Sequence, residues 1–322
     1  MQYRREIDGL RAIAVLPVIL FHAGFEVFSG GYIGVDVFFV ISGYLITSLL
    51  IGELEQGNFS IARFYERRAR RILPALFVVM LICLPFAYLW MLPSQLKDFA
   101  QSLLAAVFFS SNILFWLESG YFAPAAELKP LLHTWSLAVE EQYYLLFPIF
   151  LLVLWRLGRN RVFLSVCLIA VVSLMLAEWG WRNSPSANFY LAPTRAWELL
   201  SGSICAFLTV GKARLSSNAL SAAGLLLVIF SIFAYDQNTP FPSFYALAPV
   251  GGTALIILFA SQKTWVARLL STAPLVGIGL ISYSAYLWHQ PLFAFARLRS
   301  LTEPSHALMA GLAVASIVLA WA

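Results

Sequence analysis

The chain has 322 residues, of which 61% are hydrophobic and 11% charged, with a mean hydropathy of +0.80; soluble domains are about half apolar, so a water-soluble globular protein is excluded. The formal net charge of +5 calls for no nucleic acid, because the excess sits in short loops beside apolar runs, where helix orientation and anionic lipid account for it. The three cysteines, Cys83, Cys167 and Cys205, lie within apolar runs and form no Cys-x-x-Cys or Cys/His cluster, so neither a disulfide framework nor a metal site is indicated.

Apolar runs near the ~20 residues a bilayer requires recur at 10–23, 32–51, 72–91, 141–155, 162–180, 193–210, 219–234, 244–260, 273–296 and 307–322. They predict an all-α, polytopic integral membrane helical bundle of about ten transmembrane helices. The first run follows basic residues as a signal peptide would, but no small-residue cleavage site comes after it, so it reads as a retained helix. It carries Arg11 and His22, eleven residues apart. At about 100° per residue that is three turns plus about 20°, which puts both side chains on one face, roughly 16 Å apart along the axis. Ionisable groups at that depth are functional-site candidates, although Arg11 taken singly also fits snorkelling to headgroups.

In the second run Gly34 to Gly43 combine small residues, which permit close helix contact, with the polar atoms of Asp36 and Ser42. Arg63, Arg67, Arg68, Arg70 and Arg71 then place five arginines in nine residues, denser than orientation requires. Arg68 and Arg71, spaced i, i+3, form a two-pronged anion clamp on a helix; a lipid-headgroup anchor is the simpler alternative. The semi-apolar stretch 97–117 contains Ser102, Ser110, Ser111 and Asn112. Counting it as a crossing would put Arg156, Arg159 and Arg161 outside, against the positive-inside rule, so it reads as a re-entrant or surface helix. With the N-terminus inside, the later basic residues Lys212, Arg214, Lys263 and Arg268 are cytoplasmic too, while Arg195 and Arg297 fall to the opposite side.

The string 132–144 carries Trp135 and Ser136 and brings two adjacent carboxylates, Glu140 and Glu141, into the mouth of a span. They cannot both face lipid, so at least one points inward and suits proton transfer. Arg195 and Glu198 form a possible ion pair at i, i+3. Residues 282–291 interrupt an apolar segment with tyrosines, His289 and Pro291, which predicts a kink and a polar pocket. The sequence stops inside an apolar run at Trp321-Ala322, and continuation into further sequence is expected.

Taken in order, these strings resemble the acyltransferase-3 membrane proteins, and within them the bacterial type whose membrane part is often followed by an extracytoplasmic SGNH-type esterase-like domain. The resemblance runs from Glu6-Ile7-Asp8-Gly9-Leu10-Arg11-Ala12 through Tyr286-Leu287-Trp288-His289-Gln290-Pro291, and makes residues 1–322 one acyltransferase-3 transmembrane domain. It implies an O-acyltransferase of the bacterial inner membrane, N-terminus cytoplasmic, acylating a cell-envelope glycan such as O-antigen, peptidoglycan, capsule or exopolysaccharide from cytoplasmic acyl-CoA, above all acetyl-CoA, without a metal. The family's arginine and histidine of the first span fall on Arg11 and His22. Its Phe-Phe-x-x-Ser-Gly string falls on Phe38 to Gly43, its cytoplasmic Arg-x-x-Arg best on Arg68 and Arg71, and its Trp-Ser-Leu with a following acid on Trp135, Ser136, Leu137 and Glu140.

Acyl transfer to a hydroxyl needs a base or a nucleophile, and donors for the developing oxyanion. His22 fills the first role; Arg11 lies nearer the donor; Glu140 orients the imidazole, accepts its proton or binds the acceptor. Arg68 and Arg71 hold the CoA phosphates, and Ser42, Trp135, Ser136, Arg195, Glu198 and His289 shape the site. The alternative for a bundle with buried ionisable groups is a transporter or flippase of a lipid-linked sugar, against which stands the lack of an obvious internal repeat.

Overall fold

The computed structural model describes residues 3–120, 126–211, 215–300 and 302–321; Lys212, Arg214 and the terminal Ala322 lie outside the described residues. The regular structure among them is helical: α1 (Arg5–His22), α2 (Gly34–Glu55), α3 (Ile61–Trp90), α4 (Pro93–Val107), α5 (Ser111–Leu117), α6 (Thr134–Leu154), α7 (Arg159–Asn183), α8 (Pro185–Tyr190), α9 (Ala192–Thr209), α10 (Asn218–Ala234), α11 (Leu247–Phe259), α12 (Trp265–Leu270), α13 (Ala273–Arg299) and α14 (His306–Leu319). Each predicted apolar run has its helix. The starts differ most at two: α3 begins at Ile61 rather than 72 and α6 at Thr134 rather than 141. Hydropathy stops where charge begins, but Arg and Glu are good helix formers, so the helices continue through the polar ends that carry the candidate site.

By length and composition, four segments suffice to cross a membrane: Gly31–Glu55, Ile61–Trp90, Thr134–Leu157 and Arg159–Asn183. In the first, 83% of the apolar window is buried, against 33% in α3 and 28% in α7. α2 is therefore the central helix, whereas α3 and α7 turn Leu81, Tyr88, Leu89, Leu164 and Leu168 outward, as lipid-facing helices do. α2 lies backbone to backbone on α9: a Cβ on Gly43 would meet the Leu199 carbonyl oxygen at 1.8 Å, and one on Gly202 the Val40 carbonyl oxygen at 2.0 Å. α1 and α13 approach equally closely, a Cβ on Gly279 falling 1.8 Å from the Asp8 carbonyl oxygen. Without a hydrophobic drive between helices in lipid, such van der Waals proximity holds the bundle together.

The stretch 97–117 divides into α4 and α5. Fifteen residues of α4 rise about 22 Å and seven of α5 about 10 Å, each short of the ~30 Å hydrocarbon core. Phe109 in the break adopts φ +50°. Its carbonyl accepts from Gln142 Nε2 at 3.0 Å, and Gln142 also donates to Asn112 Oδ1 at 2.9 Å; irregular backbone is thus satisfied by protein, as burial at membrane depth demands. α13 runs through Pro291 as one helix.

Arg4 and Arg159, the latter counted above as an orientation charge, are structural ties. Arg4 is buried, pairs with Glu6 at 2.8 Å, and donates to Tyr44 Oη at 2.9 Å and to the Ile257 and Ala260 carbonyls ending α11. Arg159 binds the Phe207 and Val210 carbonyls at the end of α9, where a cation also complements the helix dipole. Arg195 and Arg297, counted above on the side opposite the N-terminus, belong to the site described below. The free cysteines Cys83 and Cys205 are buried and Cys167 half-buried.

In a cysteine-free background, Arg156→Cys should be shielded from a membrane-impermeant maleimide in intact cells and Gln237→Cys labelled. Labelling at position 156 would invert the expected orientation.

Candidate functional site

Helices α1, α2, α3, α6 and α13 enclose a cavity of about 250 Å³ lined by Arg11, Ser42, Arg68, Arg71, Glu140, Glu141 and Tyr144, among others. Helical spacing sorts the arginine run: Arg67 pairs with Glu53 and Arg70 with Glu66, each at 2.7 Å, which leaves Arg68 and Arg71 facing the cavity. Neither lies within ion-pair distance of a carboxylate among the described residues, and Arg68 Nε is buried without a hydrogen-bond partner. Arg11 Nη1 is 3.9 Å from Asp8. Both acids of α6 point inward. Glu140 accepts from the Ser42 and Tyr144 hydroxyls, while Glu141 Oε1 is buried and unpartnered.

A second cavity of about 320 Å³ is lined by His22, Tyr32, His133, Trp135, Arg195, Asp236, Gln237, Phe241 and Gln290, among others. His22 Nδ1 lies 2.8 Å from the Val18 carbonyl. A carbonyl only accepts, so Nδ1 carries the proton and Nε2 offers a lone pair. The ring packs 5.2 Å from His289, which is 5.5 Å from His133. His289 Nδ1 donates to the Tyr286 carbonyl at 2.5 Å, and its Nε2, with both nitrogens of His133, is buried without a partner. At the rim Asp236 accepts from the Asn238 and Thr239 side chains and backbone; these hydrogen bonds, the side chain of Asn238 foremost, hold its carboxyl below the ordinary range.

Behind this cavity Arg195 is 1% exposed. It pairs with Glu198 at 3.1 Å and with Asp36 of α2 at 3.2 Å, and its guanidinium carbon lies 5.5 Å from the Phe39 and Trp135 rings and 5.6 Å from Phe241. The expected Arg195–Glu198 pair is present, and Asp36, read from sequence as a packing residue, is its third member. An acid in an apolar helix needs a partner, but nothing local identifies one on another helix.

Arg11 and His22 thus open into different cavities. Glu140 is hydrogen-bonded to Ser42 and Tyr144, so of the three roles expected of it, orienting the imidazole is not one its contacts serve. Seven residues from His133 to Glu140 amount to nearly two turns, about 10.5 Å, on one face, so Glu140 lies at the arginine end and His133 at the histidine end. α1 and α6 run antiparallel through the site, each bringing one polar group to either cavity. Sequence reasoning quoted His133 without giving it a role, although its spacing to Glu140 was the available signal. Arg297 was missed as well: its Nη2 donates to the His22 carbonyl at 2.7 Å and its Nε is 3.4 Å from Glu127, which secures the end of α1. Ser42 and Ser136 line the arginine cavity and Trp135 the histidine cavity.

A family model described as an acyltransferase domain matches residues 4–322. The chain is 34% identical over 328 residues to a peptidoglycan O-acetyltransferase of Listeria monocytogenes, covering 94% of this chain and 52% of the relative. It is 34% identical over 312 residues to a putative O-acetyltransferase of Staphylococcus aureus, covering 92% and 51%. It is also 35% identical over 311 residues to a putative membrane-bound transacylase of Komagataeibacter xylinus, covering 96% and 78%. The chain therefore spans about half the length of the first two. No solved structure matches.

Arg195→Ala would leave two buried carboxylates without their cation. Breaking a buried pair in this way typically costs about 3–5 kcal/mol, so the variant should lose cooperative thermal unfolding at the wild-type temperature in detergent, with Glu198→Gln less affected; an unchanged melting curve for Arg195→Ala would contradict the assigned role.

Proposed function

The chain belongs to the acyltransferase domain family, and on that premise we propose that it is a membrane O-acyltransferase moving an acyl group, acetyl above all, from cytoplasmic acyl-CoA to a hydroxyl of a cell-envelope glycan, with residues 1–322 as its transmembrane acyltransferase domain. One observation carries the reading: an arginine-lined cavity and a histidine-lined cavity abut inside one bundle, with Val35 and Tyr286 common to both. Arg68 and Arg71 are the anion fork for the donor's phosphates, because guanidinium planes bind phosphate bidentately. Arg11, deeper in the same cavity, supplies positive charge toward the thioester end, where it stabilises a developing oxyanion. In this reading the arginine cavity faces the cytoplasm and the protein lies in the bacterial inner membrane.

The acceptor enters the histidine cavity, where aromatic faces of Trp135, Phe241 and Tyr32 alternate with polar Asp236, Gln237 and Gln290, a mixture of apolar wall and placed polar groups suited to a sugar. His22 Nε2 takes the proton of the attacking hydroxyl. The oxygen forms a bond to the acyl carbon, the carbon–sulfur bond breaks, and the proton passes from His22 to the departing CoA sulfur. Pinning Nδ1 to the Val18 carbonyl keeps Nε2 basic and aimed, as a general base requires. The choice of an envelope glycan follows the name of one relative, the peptidoglycan O-acetyltransferase of Listeria monocytogenes.

The test is transfer of label from acetyl-CoA into endogenous glycan in inside-out vesicles from expressing cells. His22→Ala should lower transfer about 10²- to 10⁴-fold while leaving membrane insertion intact; wild-type rates in that variant exclude His22 as base. Arg68→Lys and Arg71→Lys should raise the KM for acetyl-CoA, since an ammonium keeps charge but loses the planar fork. Unchanged KM in both would reduce the pair to a lipid anchor.

A further inference from the structure

Val35 and Tyr286 line both cavities, and the way each is held decides what passes between them. The Tyr286 hydroxyl lies 2.7 Å from Ser136 Oγ and 3.1 Å from the His133 carbonyl. Its ring packs 5.4 Å from the His133 ring, 5.1 Å from His289 and 6.4 Å from Phe38. Rotation of this side chain would break both polar contacts and vacate three ring contacts together. Val35, opposite on α2, is 7% exposed and β-branched, so on a helix one rotamer dominates. The two side chains the cavities share are thus one stiff aliphatic group and one phenol anchored at its far end.

We propose that Val35 and Tyr286 form a partition through which only the transferred acyl group projects, and that this partition sets the upper limit of acyl length. The proposal rests on the reading above, in which the donor occupies the arginine cavity and the acceptor hydroxyl meets His22. An acetyl carbonyl inserted between the two side chains reaches the histidine side with its sulfur and methyl group side by side in the gap, the sulfur within reach of His22 and any added methylene confined beside it. Each further methylene displaces Val35 or forces Tyr286 off its two oxygen partners. One extra methylene in a closely fitted apolar site typically changes kcat/KM by about 10- to 200-fold, which is ample for a length filter.

The measurement compares incorporation from labelled acetyl-, butyryl- and hexanoyl-CoA into endogenous glycan in inside-out vesicles carrying the full chain, for wild type, Val35→Ala and Tyr286→Phe. Wild type should favour acetyl over butyryl by at least about tenfold. Val35→Ala widens the gap and should raise the butyryl-to-acetyl ratio about tenfold or more. Tyr286→Phe keeps the ring but releases its anchor, and should raise the ratio by a smaller factor. An unchanged ratio in both variants, loss of acetyl transfer in both, or hexanoyl transfer at the acetyl rate in wild type overturns the partition while leaving the acyltransferase reading standing. Absence of transfer from every acyl-CoA by wild type overturns both.

Discussion

An ionisable side chain at membrane depth must find a counter-charge, a cavity or the surface, because an isolated charge in hydrocarbon is too costly to keep. That constraint orders this bundle. Arg195 is enclosed by Asp36, Glu198 and a ring of aromatic faces, which ties α2 to α9. Arg4 is neutralised by Glu6 and by carbonyls ending α11. What remains without a full complement of partners is concentrated around two cavities: Arg68 Nε, Arg11 Nε, Glu141 Oε1, both nitrogens of His133 and His289 Nε2.

The distribution of these groups follows from two antiparallel helices. α1 carries Arg11 and His22, and α6 carries His133 and Glu140, in each case on one face and about two to three turns apart. Because the helices run in opposite directions, arginine meets carboxylate at one end and histidine meets histidine at the other. α13 supplies Tyr286, which lines both cavities, and the third imidazole with His289, while Arg297 near its end fastens the His22 carbonyl. A single helix thus joins the separation of the cavities to the placement of the proposed base.

The arginine run on α3 illustrates how the same residue type serves different ends within one turn. Arg67 and Arg70 lie against Glu53 and Glu66, whereas Arg68 and Arg71, one position on in each case, face the cavity. The roughly 100° between consecutive helical residues is enough to divide surface pairing from ligand capture.

Composition and spacing alone determined a great deal: the all-helical membrane bundle, a helix for each of the ten apolar runs, and the shared helical face of Arg11 and His22. These are properties of hydropathy and helical period, which depend on neighbours in the chain. The tertiary structure decided what those properties cannot encode: that Asp36 completes the Arg195 pair, that Glu140 answers to Ser42 and Tyr144 rather than to His22, that His133 and Arg297 belong to the site, and that Tyr286 stands between two cavities. Each of these joins residues on different helices, and which faces of two helices meet is set by close backbone approach at Gly43, Gly202 and Gly279 and by the pairing of buried charge across the bundle, not by any period within one helix.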